Sequence, residues 1–332
     1  MVVVVGVDGS AESARALAWG TSEAALRGVT LDIRYVMHLP VASPPFTDPV
    51  TYAEPMSTLR GYADAVLAAA RGAAFAREPG VSLTTSIDYG QPAEALISAG
   101  ASADLVVLGA RGLGAFGAIF FGSTSARVAA RCSAPVVVVP RQHDAERHDE
   151  RTRSQSSQSS QGDHDPSWTE VMAGTHHGQG RVVVGVDGSA HSDVAVRFAV
   201  DEARRRNAGV LALAVYEVPL IDRWKENSIF YTDIENAARA AAEERLTETV
   251  ARLRLPQDSG VDVEERVVQG RAAKVLVEAG KDASMTVVGS RGRGEVRGAL
   301  LGSVSQAILH HARHPVVVVH SPRASRLLDA ED

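Results

Sequence analysis

The sequence predicts an α/β protein that builds one fold twice, as two tandem doubly wound domains with five-stranded parallel sheets. Three observations carry this expectation. The chain contains a long internal repeat. Each copy alternates short apolar runs with helix-length segments. The apolar runs are continuous and valine-rich, the mark of strands buried on both faces. A length of 332 residues also exceeds what one hydrophobic core usually organises.

The repeat is long and ordered. Val2-Val3-Val4-Val5-Gly6-Val7-Asp8-Gly9-Ser10 returns as Arg181-Val182-Val183-Val184-Gly185-Val186-Asp187-Gly188-Ser189. The segment Leu105 to Gly112 returns, with a one-residue adjustment, as Thr286 to Gly292. Ala134-Pro135 before four valines returns as His314-Pro315 before four more. Three blocks in one order at one offset mean duplicated domains, because solenoid repeats are far shorter.

The elements of the first copy follow from local chemistry. Residues 2–7 are a buried strand, Asp8-Gly9 turns the chain, and Ser10 caps a helix over 11–27. Residues 29–36 form the second strand, and Pro40 to Pro55 read as a long loop. A helix follows over 56–77, then a strand over 81–88. Pro92 opens a short helix to Ala99, since proline fits a first helical turn. Residues 105–108 are the fourth strand, followed by a glycine-rich loop, a helix over 123–132 and a last strand over 135–139. The second copy repeats this order over 182–186, 190–206, 210–216, 231–254, 261–268, 271–281, 285–288, 303–313 and 315–319. Parallel strands need crossovers, so helices should cover both faces, with ligands beyond the carboxyl ends of the strands.

Composition divides the chain into domains at 1–140 and 181–322, a connector at 141–180 and a tail at 323–332. The connector carries a Ser/Gln run from Ser154 to Gln161 and almost nothing apolar, so it should be flexible. Its histidines follow no metal-ligand spacing. One cysteine, Cys132, excludes a disulfide framework and a multi-cysteine metal site within one chain. A net charge of −6 argues against non-specific nucleic-acid binding. No apolar run reaches the roughly 20 residues of a membrane span, and the N-terminus does not read as a signal peptide. The expectation is a cytoplasmic protein without nucleic-acid or membrane partners.

The glycine loops carry the chemistry. Gly109-Ala110-Arg111-Gly112 is followed, nine residues on, by Gly122-Ser123-Thr124-Ser125 at a helix start. Gly289-Ser290-Arg291-Gly292 precedes Gly302-Ser303-Val304-Ser305 at the same spacing. Glycine admits close approach of a ligand to backbone, and a helix N-terminus presents unpaired N–H groups that suit phosphate. Two better-known motifs fail. A G-x-G-x-x-G run at Gly112–Gly117 follows the fourth strand, and the second copy breaks its spacing. A Walker-like run ending at Gly122 lacks its lysine.

The pattern G-x2-G-x9-G-[ST], between a G-V-D-G-S first strand and a P-V-V-V-V last strand, resembles the universal stress protein family in both halves. The resemblance implies a Rossmann-like ATP-binding fold with strand order 3-2-1-4-5 and one ATP per domain, with or without Mg²⁺. Carried over by position, Gly6, Asp8, Gly185 and Asp187 sit at the nucleoside end, and Val36 and Tyr216 border the adenine. It further implies that Gly109, Gly112, Gly289 and Gly292 line ribose and α-phosphate, flanked by Arg111 and Arg291. Gly122, Ser123, Gly302 and Ser303 would hold the outer phosphates, with Thr124, Ser125, Val304 and Ser305 nearby.

Neither loop offers a lysine, a catalytic glutamate or paired aspartates, so slow or absent hydrolysis is expected. The leading reading is a nucleotide-dependent stress-response regulator. A slow ATP-hydrolysing enzyme and an assembly module with structural nucleotide are the alternatives. The last strands, short and valine-rich, should lie at sheet edges that invite pairing. The resemblance implies that they pair across a two-fold axis, either between the two domains of one chain or between chains in a homodimer.

Overall fold

The computed structural model describes residues 1–38, 49–110, 122–141, 168–173, 180–218, 228–253, 260–293 and 301–321. The first domain runs β1 (Val2–Val7), α1 (Ala11–Arg27), β2 (Thr30–Met37), α2 (Pro49–Arg77), β3 (Leu83–Tyr89), α3 (Pro92–Gly100), β4 (Leu105–Gly109), α4 (Ser123–Arg131) and β5 (Val136–Val139). After α5 (Trp168–Ala173), the second runs β6 (Val182–Val186), α6 (Ala190–Arg206), β7 (Val210–Tyr216), α7 (Ser228–Arg252), β8 (Val263–Gln269), α8 (Ala272–Ala279), β9 (Met285–Gly289), α9 (Ser303–His311) and β10 (Val316–Val319).

Each domain has the parallel strand order 3-2-1-4-5, and the two sheets are not separate. β5 and β10 pair antiparallel, with Val137 opposite Val317, so one ten-stranded sheet crosses the molecule. The exposed edges expected of the last strands are thus consumed by each other within one chain. Alternation along these strands feeds both layers. Val137, Val139, Val317 and Val319 join the core that includes α1, α2, α6 and α7 residues. Val136, Val138, Val316 and Val318 join the core that includes α3, α4, α8 and α9 residues.

Capping chemistry starts and stops the first helix of each domain identically. Ser10 and Ser189 accept the N–H groups of Ser13 (3.1 Å) and Ser192 (3.2 Å). Gly28 and Asn207 end α1 and α6 in the left-handed conformation, which these two residue types adopt most readily.

A buried ionic cluster crosses the seam. Glu23 and Glu202 are fully buried, and Arg27 and Arg206 nearly so. Arg27 binds Glu23 at 2.6 Å and reaches Glu202; Arg206 binds Glu202 and reaches Glu23. Arg206 also lies 5.9 Å from the Trp19 ring centroid, a cation–π contact between domains. Burial and the neighbouring Glu23 push the Glu202 carboxyl up. Burial acts the same way on Glu23, but the charges of Arg206 and Arg27 outweigh it and hold that carboxyl low.

Two local expectations are corrected. Residues 49–55, read as loop, belong to α2, which Pro49 opens in the position proline tolerates. The connector is not featureless: α5 packs against α1 and α2, Met172 is buried, Trp168 rests on the core, and Arg77 donates to the Met172 carbonyl at 2.7 Å. Met172 and Trp168 thus anchor this short helix to the first domain's core. The rest of the Ser/Gln stretch lies outside the described residues.

Candidate functional site

The site forms at the carboxyl ends of the strands because the first and fourth strands of each domain end there in glycine-bearing turns. In the first turn, Gly9 and Gly188 take positive φ values of 96° and 79°, which ordinary side chains avoid. Asp8 Oδ1 accepts from Ser10 N at 3.0 Å and Ser10 Oγ at 2.6 Å; Asp187 Oδ1 accepts from Ser189 N at 3.0 Å. The second oxygen of Asp187 accepts from Arg293 N at 3.1 Å, tying the turn to the glycine loop. Each aspartate therefore shapes its turn, and Asp187 also positions the loop.

The fourth strands end against the first helices. A Cβ on Gly109 would stand 2.7 Å from the Glu12 carbonyl oxygen, and one on Gly289 would stand 2.7 Å from the His191 Cβ. One on Gly292 would lie 2.5 Å from Asp187 Oδ2. Only glycine lets these backbones meet. Beyond them, Gly122 N donates to the Ala110 carbonyl and Gly302 N to the Ser290 carbonyl, both at 2.8 Å. Ser125 and Ser305 are buried, and their hydroxyls donate to the Gly109 and Gly289 carbonyls at 2.7 and 2.6 Å. These serines clamp α4 and α9 to the sheet. Ser123 and Ser303, two residues earlier, are exposed. Unlike α1 and α6, α4 and α9 begin at glycine, so among the described residues no side chain caps their first N–H groups.

In the second domain these pieces enclose a cavity of about 280 Å³. Gly185, Val186 and Asp187 line it from β6; Gly289, Arg291, Gly292 and Arg293 form the loop wall. Gly302, Ser303, Val304 and Ser305 form the helix-start wall. Leu213, Val215, Ala272, Leu276 and Val288 make the opposite, apolar end. Among its described lining residues, Asp187 is the carboxylate, and Arg291 and Arg293 are the cations.

Nearly all second-domain residues expected at the site line this cavity. Tyr216 does not; it packs on the α1-side core, and Val215 takes the place expected of it. Pairing of Gly6 with Arg34 and of Gly185 with Leu213 fixes the equivalence, so Val36 corresponds to Val215. A one-residue slip in a strand reverses the face. The offset of 179 residues between Asp8 and Asp187 already maps Val36 onto Val215, so the signal was present in the sequence. Leu213, Leu276 and Arg293 carried no such signal. In the first domain, Gly6, Asp8, Val36, Gly109, Gly122, Ser123, Thr124 and Ser125 hold the matching places around the strand ends. Arg111 and Gly112 lie outside the described residues.

Among the described residues, no group of three or more His, Cys, Asp or Glu side chains could hold a metal ion. No helix among them is long and apolar enough to cross a membrane.

Comparison with known proteins agrees with this architecture. The model of the universal stress protein family matches residues 1–140 and 179–320. A universal stress protein of Mycobacterium tuberculosis is 33% identical over 319 residues, covering 95% of this chain and 96% of its own. One from Mycolicibacterium smegmatis is 33% identical over 325 residues, covering 96% of each. The crystal structure of a universal stress protein from Archaeoglobus fulgidus superposes with a TM-score of 0.61 at 19% identity, covering 96% of each chain, a likeness of fold. Two matched domains and full-length relatives place this chain in the universal stress protein family.

Proposed function

We propose that the chain binds ATP at one site in each domain and acts as a nucleotide-dependent regulator rather than through turnover. The observation that carries this is the contrast between helix starts: α1 and α6 are closed by serine, whereas α4 and α9 open on glycine, with no capping side chain among the described residues. Such a start attracts anions through its unpaired donors and the helix dipole. The cavity of the second domain supplies the rest of a nucleotide's needs. Its loop wall carries Arg291 and Arg293, and its far end is apolar enough to take a base.

The residues fit the ligand as follows. Gly302, Ser303 and Val304 would receive the outer phosphates, Gly289 and Gly292 would admit the ribose and α-phosphate, and Leu213 and Val215 would receive the base. Asp187 would fix the loop against which the nucleotide rests. Bound Mg²⁺ would arrive on the phosphates and offset their charge. The glycine loop lies beside the domain seam: Ser290 N donates to the Val319 carbonyl at 2.8 Å, and the next residue, His320, reaches the Ala130 carbonyl of the first domain at 3.0 Å. Occupancy could therefore act on the seam, which is the basis for a regulatory rather than catalytic reading.

Titration calorimetry of the full chain with MgATP tests the proposal. Two sites are expected, with Gly122→Val and Gly302→Val each removing one, and phosphate release no faster than in buffer. Unchanged binding in both variants would overturn the site assignment; steady phosphate release would overturn the absence of turnover.

A further inference from the structure

The two base ends are built from different chemistry. On β7, Leu211 and Leu213 point to the α8–α9 layer, and Leu213 is 2% exposed. By strand register their counterparts on β2 are Asp32 and Arg34. On the neighbouring strand, Val268 of β8 corresponds to Asp88 of β3, since Val36 pairs with Asp88 as Val215 pairs with Val268. At the cavity wall the first domain thus carries Arg34, held by Asp32 and Asp88, where the second carries Leu213; the second domain's ion pair on this face, Arg266 with Glu264, sits one strand further out on β8 and does not line the cavity.

The triad is tightly made. Arg34 Nε donates to Asp32 Oδ2 at 2.7 Å, Arg34 Nη1 to Asp88 Oδ2 at 3.1 Å, and Thr84 Oγ1 to Asp32 Oδ1 at 3.2 Å. Burial alone would lower the Arg34 pKa, but these hydrogen bonds and charges hold it above its ordinary value. The side chains remain 12–28% exposed, so the triad keeps part of its hydration. An arriving base would displace that water, and partly buried charges lose more on desolvation than leucine does. Two carboxylates around one guanidinium also leave a net negative end facing an anionic ligand.

We propose that the two sites are unequal, with the second domain holding the high-affinity purine-nucleotide site and the Asp32–Arg34–Asp88 triad weakening base binding in the first. This rests on the nucleotide reading above. It concerns the base end alone: once Arg293→Leu matches the second loop to Leu113 of the first, inorganic tripolyphosphate, which has no base, should bind both sites about equally.

The test isolates each site in the full chain, using Gly302→Val to leave the first and Gly122→Val to leave the second. Calorimetry should give an ATP Kd about tenfold weaker for the first site, the discrimination an apolar pocket typically achieves. Grafting Asp32→Leu, Arg34→Leu and Asp88→Val into the first domain should remove most of that difference. The reverse graft of Leu211→Asp, Leu213→Arg and Val268→Asp into the second should weaken its site about tenfold. The paired grafts guard against a single variant that fails to fold. Equal ATP affinities, a tighter first site through Arg34 stacking on the base, or the same inequality with tripolyphosphate in the Arg293→Leu chain would overturn the proposal. Absence of ATP binding in the unaltered chain would overturn the nucleotide reading itself.

Discussion

The two domains share a topology and a glycine framework, yet they divide the molecule's polar chemistry unevenly. The first places an ion triad on β2 and β3, where the second places leucine and valine. The second buries His314 and half-buries His320, where the first has Ala134 and Pro140. What the copies keep is backbone: the left-handed turn glycines, the strand-end glycines, the helix starts on glycine. What they vary is side chains on the surfaces those glycines frame. Duplication conserved the geometry that only glycine can supply and left the lining free to diverge.

At the seam the copies contribute a matching ionic cluster, and breaking it should have the largest effect. Glu23 and Glu202 occupy equivalent positions and exchange arginine partners across the domains. Glu202→Ala leaves two buried guanidinium groups short of a partner and should cost about 3–5 kcal/mol. The midpoint of urea denaturation measures this, and a change within error would show that the cluster contributes nothing. Replacing all four charges with apolar residues of similar volume should cost far less, because no buried charge remains uncompensated.

Acid should separate the domains next. Burial lowers the pKa of His314 and of His320 from 6.5 to about 4, so both are neutral in the fold. Below pH 6.5 the unfolded chain binds protons that the folded chain refuses. Their stabilising contribution is therefore complete above pH 6.5 and lost as the pH falls toward 4, by up to about 3 kcal/mol each. Denaturation midpoints between pH 7 and 4.5 should fall with that slope. His314→Ala, which installs the first domain's residue, should flatten it; an unchanged slope would remove His314 from the account.

Smaller effects sharpen the backbone equivalence. Gly109→Ala and Gly289→Ala each force a Cβ to 2.7 Å from α1 or α6 atoms, and each should destabilise by about 1–3 kcal/mol. Similar losses in the two variants would confirm that the copies are alike there. In contrast, Gly72 lies within α2 with nothing within 4 Å of an added Cβ. Gly72→Ala should therefore stabilise by about 0.5–1 kcal/mol, seen as a raised Tm.

Much of this was legible in the sequence, for reasons that differ by residue. The valine runs named β1, β5, β6 and β10, because a strand buried on both faces needs no polar alternation. The glycine spacing named both loops and both helix starts. Tyr216 went astray because single-residue register is invisible to a reading by element ends, and one step of register reverses a side chain. α5 was hidden because its apolar residues, Trp168, Val171 and Met172, have helical spacing over less than two turns, too short a run to stand out in a polar stretch. Arg34 carried no signal in the sequence: Asp32 lies beside it on β2, but Asp88 becomes its neighbour only when β2 and β3 pair.

The sequence by itself determined that one α/β domain occurs twice, where its glycine loops fall, and which glycines frame them. These follow from local sterics and from hydrophobic pattern, which act within a few residues. Only the tertiary structure decided that the two sheets fuse through β5 and β10, that Glu23 and Glu202 trade arginines, and that the two base ends differ. Those outcomes depend on which strands share an edge and in what register, and pairing between residues about 180 positions apart leaves no local trace in the chain.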